Sequence, residues 1–205
     1  KPHLVHEKLT EEDFLHPPRE GKKKGVKVSN TSNVVKIISG GQTGADQAGL
    51  YAGRALGVET GGTAPKGFKT AAVDKEGKPR DDTEKLKGFG LIEATDEEIG
   101  AYTGREDVYG PRTELNTKNS DGTVWFGDVS SLGGKATSKF AKQHQEVEML
   151  INPTAEELRA WLDENDIKTL NVAGNREKKD NKVFSTTLDT LKAALSLGQP
   201  TEAEA

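Results

Sequence analysis

The fold is decided by the segment VVKIISGGQTGADQ, which covers residues 34–47. Its apolar first half is rich in β-branched residues, which predicts a short strand buried on both faces, as in a parallel sheet. Gly40, Gly41 and Gly44 then form a tight turn. Alanines at helical spacing follow as far as Gly57, where a helix is expected to end. The segment therefore predicts a strand, a glycine-rich turn and a helix in succession.

The glycine-rich turn has the properties of an anion-binding loop. Glycine permits positive φ and close approach of the backbone to a ligand, and the N–H groups that point outward at a helix start favour an anion. The spacing matches neither GxxxxGK[ST] nor GxGxxG, and no lysine follows the last glycine directly. ATP hydrolysis of the P-loop type is therefore not expected. The alternative is a tight strand-to-helix connection that binds nothing.

The composition predicts one α/β core. A chain of 205 residues is long enough for one such core and too short for two large domains. No apolar run reaches membrane-spanning length, no apolar segment near the start indicates a secretory signal, and cysteine is absent. We therefore expect a cytoplasmic protein that does not bind a membrane. The net charge of −4 argues against a nucleic-acid partner.

The distribution of polar residues suggests three parts. Residues 1–33 are predicted to form a flexible polar arm, residues 34–198 the ligand-binding domain, and residues 199–205 a polar tail. The arm carries His3, His6 and His16, which are interpreted as solvated side chains, so no metal site is predicted.

Strands alternate with helices after the first helix. Strands are predicted to begin near Val58, Phe89, Thr123, Glu146 and Lys168, and helices near Pro111, Ala136, Thr154 and Phe184. A second glycine-rich turn is expected at residues 61–67, with Lys66 facing the ligand, and a long surface loop or lid at residues 68–88. The alternation predicts an α/β, Rossmann-like, doubly wound fold, with a mainly parallel sheet and helices on both faces. Glycine turns after Ser39, Phe126 and Ala173 would then meet at the edge where such sheets bind ligands.

Five motifs occur in one order along the chain: ISGGQTGAD at residues 38–46, RTELN at 112–116, NSDGT at 119–123, GGKAT at 133–137 and LNVAG at 170–174. This set resembles the molybdenum carrier family, a circularly permuted, YpsA-like branch of the SLOG superfamily that is related to lysine-decarboxylase-like proteins. The similarity covers roughly residues 34–197. It implies a Rossmann-like fold and a homo-oligomer.

The resemblance also implies a small phosphate-bearing ligand, either molybdenum cofactor or another nucleotide-like molecule. The residues expected to bind it are Gly40, Gly41, Gln42, Thr43, Gly44, Asp46, Arg112, Gly133, Gly134, Lys135, Thr137 and Arg176. Backbone N–H groups are expected to hold the phosphate, with Arg112 adding charge. On this interpretation Gly41→Val would obstruct the ligand and leave the fold largely intact.

Three carboxylates near these motifs could assist hydrolysis of an N-glycosidic bond: Asp46, Glu114 and Asp121. Each also has a structural explanation, respectively the helix dipole, a pair with Arg112 and the residue before a turn glycine. The related phosphoribohydrolases have a glutamate where this chain has Phe140. A binding or carrier protein is therefore predicted, with a nucleotide-processing hydrolase that uses Glu114, or a structural protein that keeps the fold, as alternatives.

Overall fold

The computed structural model describes residues 28–102 and 109–198. These residues form a six-stranded sheet in the order β3-β2-β1-β6-β4-β5, and every pairing is parallel. The strands are β1 (Lys36–Ile38), β2 (Glu59–Ala64), β3 (Leu91–Glu93), β4 (Gly122–Phe126), β5 (Leu150–Ile151) and β6 (Thr169–Gly174). The predicted α/β fold with a parallel sheet is confirmed.

Seven α-helices accompany these strands: α1 (Ala45–Leu56), α2 (Thr83–Gly88), α3 (Asp96–Gly100), α4 (Gly110–Lys118), α5 (Leu132–His144), α6 (Ala155–Glu164) and α7 (Val183–Leu195). α1 packs against α7, and α4 packs against α5. Consecutive residues of β6 face opposite sides of the sheet, so each contacts a different helix layer. Val172 contacts α1 at Gly49, whereas Asn171 donates to Thr123 Oγ1 on the face that α4 and α5 cover. The helices therefore lie on both faces of the sheet, as predicted.

Two glycines allow α1 to lie close to the sheet. Glycine inside a helix costs about 1 kcal/mol relative to alanine, so Gly49 and Gly53 need a packing reason. A Cβ atom at position 49 would lie 2.7 Å from Val172 Cβ, and one at position 53 would lie 2.6 Å from Thr60 Cγ2. The small residues therefore set the distance between helix and sheet.

The strand order reverses between β1 and β6. From β1 the chain continues outward through β2 and β3, whereas β6 lies on the other side of β1 and is followed by β4 and β5. The loops that leave β1 and β6 consequently meet, and Ala45 N donates to Asn175 O at 3.2 Å. Ligands of open parallel sheets bind at such a reversal, so the topology places the candidate site there.

The structure differs from the sequence prediction in the segment after α1. Gly61 and Gly62 belong to β2 and do not form a turn. A Cβ atom at Gly62 would lie 2.2 Å from Ser39 O, just beyond the end of β1, so glycine is needed here for close backbone approach. The predicted loop at residues 68–88 contains the end of a short 3-10 helix (Lys66–Phe68), a bridge between Val73 and Pro79, and α2. These elements are too short to produce a recognisable hydrophobic period.

Residues 28–33 contact the domain through backbone groups. Thr31 N donates to Leu195 O at 2.7 Å, and Arg159 Nη2 donates to Thr31 O at 2.8 Å. The rest of the predicted arm, with its three histidines, and the predicted tail lie outside the described residues. Within the part of the chain that the structure describes, every helix is too short or too polar to cross a bilayer.

Candidate functional site

A polar cavity of about 60 Å³ lies at the carboxyl ends of β1, β4 and β6. Five of the predicted binding residues line it: Gly40, Asp46, Arg112, Gly133 and Thr137. The sequence prediction missed six further lining residues: Thr113, Asn116, Trp125, Asn171, Ala173 and Gly174. The glycine motifs at residues 38–46 and 133–137 and the end of β6 therefore converge, as the positions of their glycines suggested.

The charged pair of the cavity is Arg112 and Asp46. Arg112 Nη1 donates to Asp46 Oδ2 at 2.8 Å, and both side chains are largely buried. Burial raises the pKa of Asp46 above its usual value, and the Arg112 guanidinium and the N–H groups of Gln42 and Gly40 oppose that rise. A Cβ atom at Gly40 would lie 1.8 Å from Arg112 Nη1. Glycine at this position therefore lets Arg112 cross the turn and reach the carboxylate.

Three consecutive backbone N–H groups of the first glycine turn are already bonded within the protein. Gly41 N donates to Ser39 Oγ at 3.3 Å, Gln42 N to Asp46 Oδ2 at 3.2 Å, and Thr43 N to Gln42 Oε1 at 2.9 Å. The expectation that these groups point outward to an anion is therefore wrong. The Asp46 carboxylate accepts bonds that a phosphate was expected to accept.

Gly41 faces the hydrophobic core and not the cavity. Its φ is +77°, and a Cβ atom there would lie 2.8 Å from Leu91 Cδ2 and 2.9 Å from Leu86 Cδ1. Valine at this position would therefore strain the backbone and collide with two buried leucines. The expectation that Gly41→Val leaves the fold largely intact is wrong for this reason.

The second glycine motif lies in the first turn of α5. The N-cap is Ser131, whose Oγ accepts from Gly134 N at 3.2 Å. A Cβ atom at Gly134 would lie 2.2 Å from Val129 O, so this glycine is needed for the turn before the helix. A Cβ atom at Gly133 would meet only Trp125, at 3.7 Å. Gly133 is thus the glycine of this motif that borders open space.

The other predicted binding residues do not line the cavity. Gln42 Oε1 accepts from Thr43 N and from Ala71 N, so it connects the first turn to the segment before α2. A Cβ atom at Gly44 would lie 2.4 Å from Asn175 O, where the loop after β6 crosses. Lys135 and Arg176 are exposed.

The two remaining carboxylate candidates lie away from the cavity. Glu114 Oε1 is 3.1 Å from His144 Nε2, and the His144 ring stacks on buried Phe140. Asp121 Oδ2 accepts from Lys168 N and Thr169 N at the amino end of β6, the opposite edge of the sheet. The geometry therefore gives both residues a structural explanation.

A larger cleft of about 510 Å³ adjoins Arg112. Its lining is mostly apolar and consists of Pro65, Lys66, Gly67, Lys69, Ala94, Ile99, Pro111 and Arg112. Arg112 therefore borders both the cleft and the polar cavity. An open groove of about 670 Å³ beside β3 is larger still, but none of the residues predicted to bind a ligand lines it.

No cluster of three or more His, Cys, Asp or Glu side chains among residues 28–102 and 109–198 has a geometry that could hold a metal ion. Arginine, asparagine, threonine and tryptophan side chains supply most of the polar groups of the cavity, and its one carboxylate, Asp46, is bonded to Arg112. The remaining donors suit an oxygen-rich anion better than a cation.

Comparisons with other proteins agree with this architecture. The model of the circularly permuted YpsA SLOG family matches residues 37–195. The crystal structure of a "Putative molybdenum carrier protein" from Syntrophus aciditrophicus is 30% identical to this chain and superposes with a TM-score of 0.60, covering 80% of this chain and 96% of the other. No functionally curated protein matches this chain. The chain belongs to the circularly permuted YpsA branch of the SLOG family.

Proposed function

We propose that the protein binds a small organic ligand that carries an anionic group, with molybdenum cofactor or another nucleotide-like molecule as the ligand class. The observation that carries the proposal is the position of Arg112, which borders the polar cavity on one side and the larger cleft on the other. The anionic group would lie against Arg112 and the cavity, and the rest of the ligand would occupy the cleft. The protein would act as a carrier.

The sizes of the two spaces support this division of the ligand. At about 60 Å³ the cavity can take a compact group such as a phosphate but has no room for a ring system. The cleft, at about 510 Å³, falls within the range of roughly 300–1,000 Å³ that is typical of small-molecule sites. Its apolar wall, formed by Pro65, Ile99 and Pro111, suits a flat ring. Lys69 adds positive charge beside it, whereas Lys66 Nζ is paired with Asp96 Oδ1 at 2.6 Å.

The name of the Syntrophus aciditrophicus protein supports the molybdenum class of ligand, because that protein shares the fold and the family. The family resemblance also motivates a homo-oligomer in the cytoplasm, which light scattering and fractionation of the source cells would test.

Two isoleucines, one in the cleft and one beside the open groove, offer a matched test. Ile99 lines the cleft, whereas Ile92 lies on the exposed surface of β3 beside the open groove. Calorimetry with molybdopterin and with purine nucleoside monophosphates should show saturable binding of at least one of them. Ile99→Ala should weaken it about threefold to tenfold, because roughly 1 kcal/mol of apolar contact is lost. Ile92→Ala should change nothing.

Absence of binding by every one of these ligands would overturn the proposal. Equal losses in Ile99→Ala and Ile92→Ala would also contradict it, since the cleft would then have no special role.

The hydrolase alternative predicts release of free base from nucleoside monophosphates. We expect no release above background, because Glu114 is bonded to His144 and Phe140 is buried where the related enzymes have their glutamate. Chromatography of the reaction mixture measures this directly. Rapid release in the native protein that disappears in Glu114→Gln would replace the carrier proposal with a hydrolase.

A further inference from the structure

The indole N–H of Trp125 lacks a hydrogen-bond partner within the described residues. Trp125 lies near the end of β4, is 2% exposed and lines the polar cavity, yet its Nε1 is bonded to no atom of the described residues. An indole N–H can only donate, and a buried donor without an acceptor is costly. The partner that satisfies it must therefore present an acceptor atom.

A second donor in the same cavity shares this property. Arg112 Nε is buried without a partner in the described part of the chain, although the Nη1 atom of the same guanidinium is bonded to Asp46. The other polar side chains are already used. Asn116 bonds both backbone groups of Thr63, and Asn171 Nδ2 donates to Thr123 Oγ1. The two unpaired donors of the cavity are thus both donor-only nitrogens.

The start of α5 adds positive potential to the same space. Gly133 is the second residue of this 13-residue helix and lines the cavity, and N–H groups in a first helical turn have no acceptor within the helix. A Cβ atom at Gly133 would lie in van der Waals contact with the Trp125 ring, at 3.7 Å, so both residues border the same small cavity. Three elements that line one small volume therefore carry donor groups for which the described residues supply no acceptor.

We propose that Trp125 and Arg112 bind the oxygens of a tetrahedral oxyanion in this cavity, and that Trp125 is a specificity-determining residue. The inference rests on the proposed function, because this oxyanion would be the anionic group of the larger ligand. It goes further in stating that a free inorganic oxyanion of the phosphate, sulfate or molybdate class binds without an organic body. At about 60 Å³ the cavity has the volume of about two water molecules, which suits one such ion.

The two tryptophans of the chain allow the site to be observed separately. Trp161 lies on α6 against Gly122, at the amino end of β4, so it does not report on the cavity. In Trp161→Phe protein the fluorescence comes from Trp125 alone. Titration of the full chain with phosphate, sulfate and molybdate should give a saturable change in that variant. In Trp125→Phe protein, calorimetry should show affinity for the same ion reduced about tenfold or more, because a hydrogen bond to a charged group is lost.

Gly133→Ala is the second test and does not alter the buried strand. Its methyl group would lie 3.7 Å from the Trp125 ring and fill the open space, so oxyanion affinity should fall about tenfold. Gly88→Ala is the matched control, since a Cβ atom there meets no atom of the described residues within 4 Å, and it should bind like the native protein.

Two results would overturn the inference. One is equal oxyanion affinity in the native protein and in Gly133→Ala or folded Trp125→Phe. The other is no saturable oxyanion binding while the organic ligands still bind, in which case an ordered water satisfies Trp125 and the proposed function stands alone. Failure of the organic ligands as well would overturn both.

Discussion

The two glycine motifs use the same residue type for different purposes. In the first, residues 40–44, the backbone N–H groups are bonded to Ser39, Gln42 and Asp46, and Gly41 faces buried leucines. In the second, Gly134 completes a helix cap with Ser131, whereas Gly133 borders the cavity. Both motifs lie where a strand leads into a helix, the first before α1 and the second in the first turn of α5. A glycine-rich turn therefore predicts that the backbone comes close to another group. Whether that group is a ligand or part of the protein depends on which acceptors bond the N–H groups of the turn.

In the first motif the Asp46 carboxylate acts as an internal anion, because it accepts hydrogen bonds that a bound anion could otherwise accept. Asp46 is buried beside the N–H groups of its own turn, and Arg112 balances its charge from α4. An external anion at this position would compete with a carboxylate. The second motif has no such carboxylate in its first turn, which makes Gly133 the better position for a ligand.

The largest expected effect on this difference between the motifs comes from removing Arg112, whose charge balances that of Asp46. Arg112→Ala leaves Asp46 buried without its ion pair, and we expect a loss of about 3–5 kcal/mol in the free energy of unfolding. Denaturant unfolding measures this loss. The control is Glu59→Ala, which removes half of the exposed pair with Lys36 and should cost about 1 kcal/mol or less. Similar losses in both variants would mean that Asp46 is not an internal anion.

The second prediction compares one glycine from each motif. Gly41→Val should lower the free energy of unfolding by about 2–4 kcal/mol, because φ is +77° and the side chain meets Leu86 and Leu91. Gly133→Ala should be neutral or raise stability by up to about 1 kcal/mol, because alanine favours the helix and meets only Trp125 at 3.7 Å. Thermal and denaturant unfolding of the two variants check this. A marked loss in Gly133→Ala would show that the second motif is also closed by packing.

The smallest expected effect is a pH dependence from Asp46. Burial raises its pKa above the 3.8 of an exposed aspartate, so the folded protein holds this proton more tightly than the unfolded chain does. The stability that this residue contributes is therefore greatest below the unfolded pKa and is lost as pH rises through the folded pKa. The stability of the native protein relative to Asp46→Asn should fall over that window. A difference that instead grows with pH would show that Arg112 outweighs burial.

The sequence determined the sheet, the helices that cover it and the edge at which its turns meet. β-branched runs such as Ile37-Ile38, helical spacing up to the left-handed Gly57, and the Thr154 helix start are local signals, because each depends on neighbours along the chain. The five ordered motifs also identified the family. The polar segment between residues 69 and 88 had no period to detect, so its short helix was missed.

Only the tertiary structure decided which polar atoms are free. Asp46 and Arg112 are 66 residues apart, and Ala45 N donates to Asn175 O in the loop after β6. The sequence places Trp125 in the strand predicted to begin near Thr123, but its neighbours along the chain do not reveal that its Nε1 lacks an acceptor among the described residues. Hydrogen bonding of a buried donor depends on atoms from several strands and helices. Local sequence therefore places the turns, whereas long-range packing decides which of them is open to a ligand.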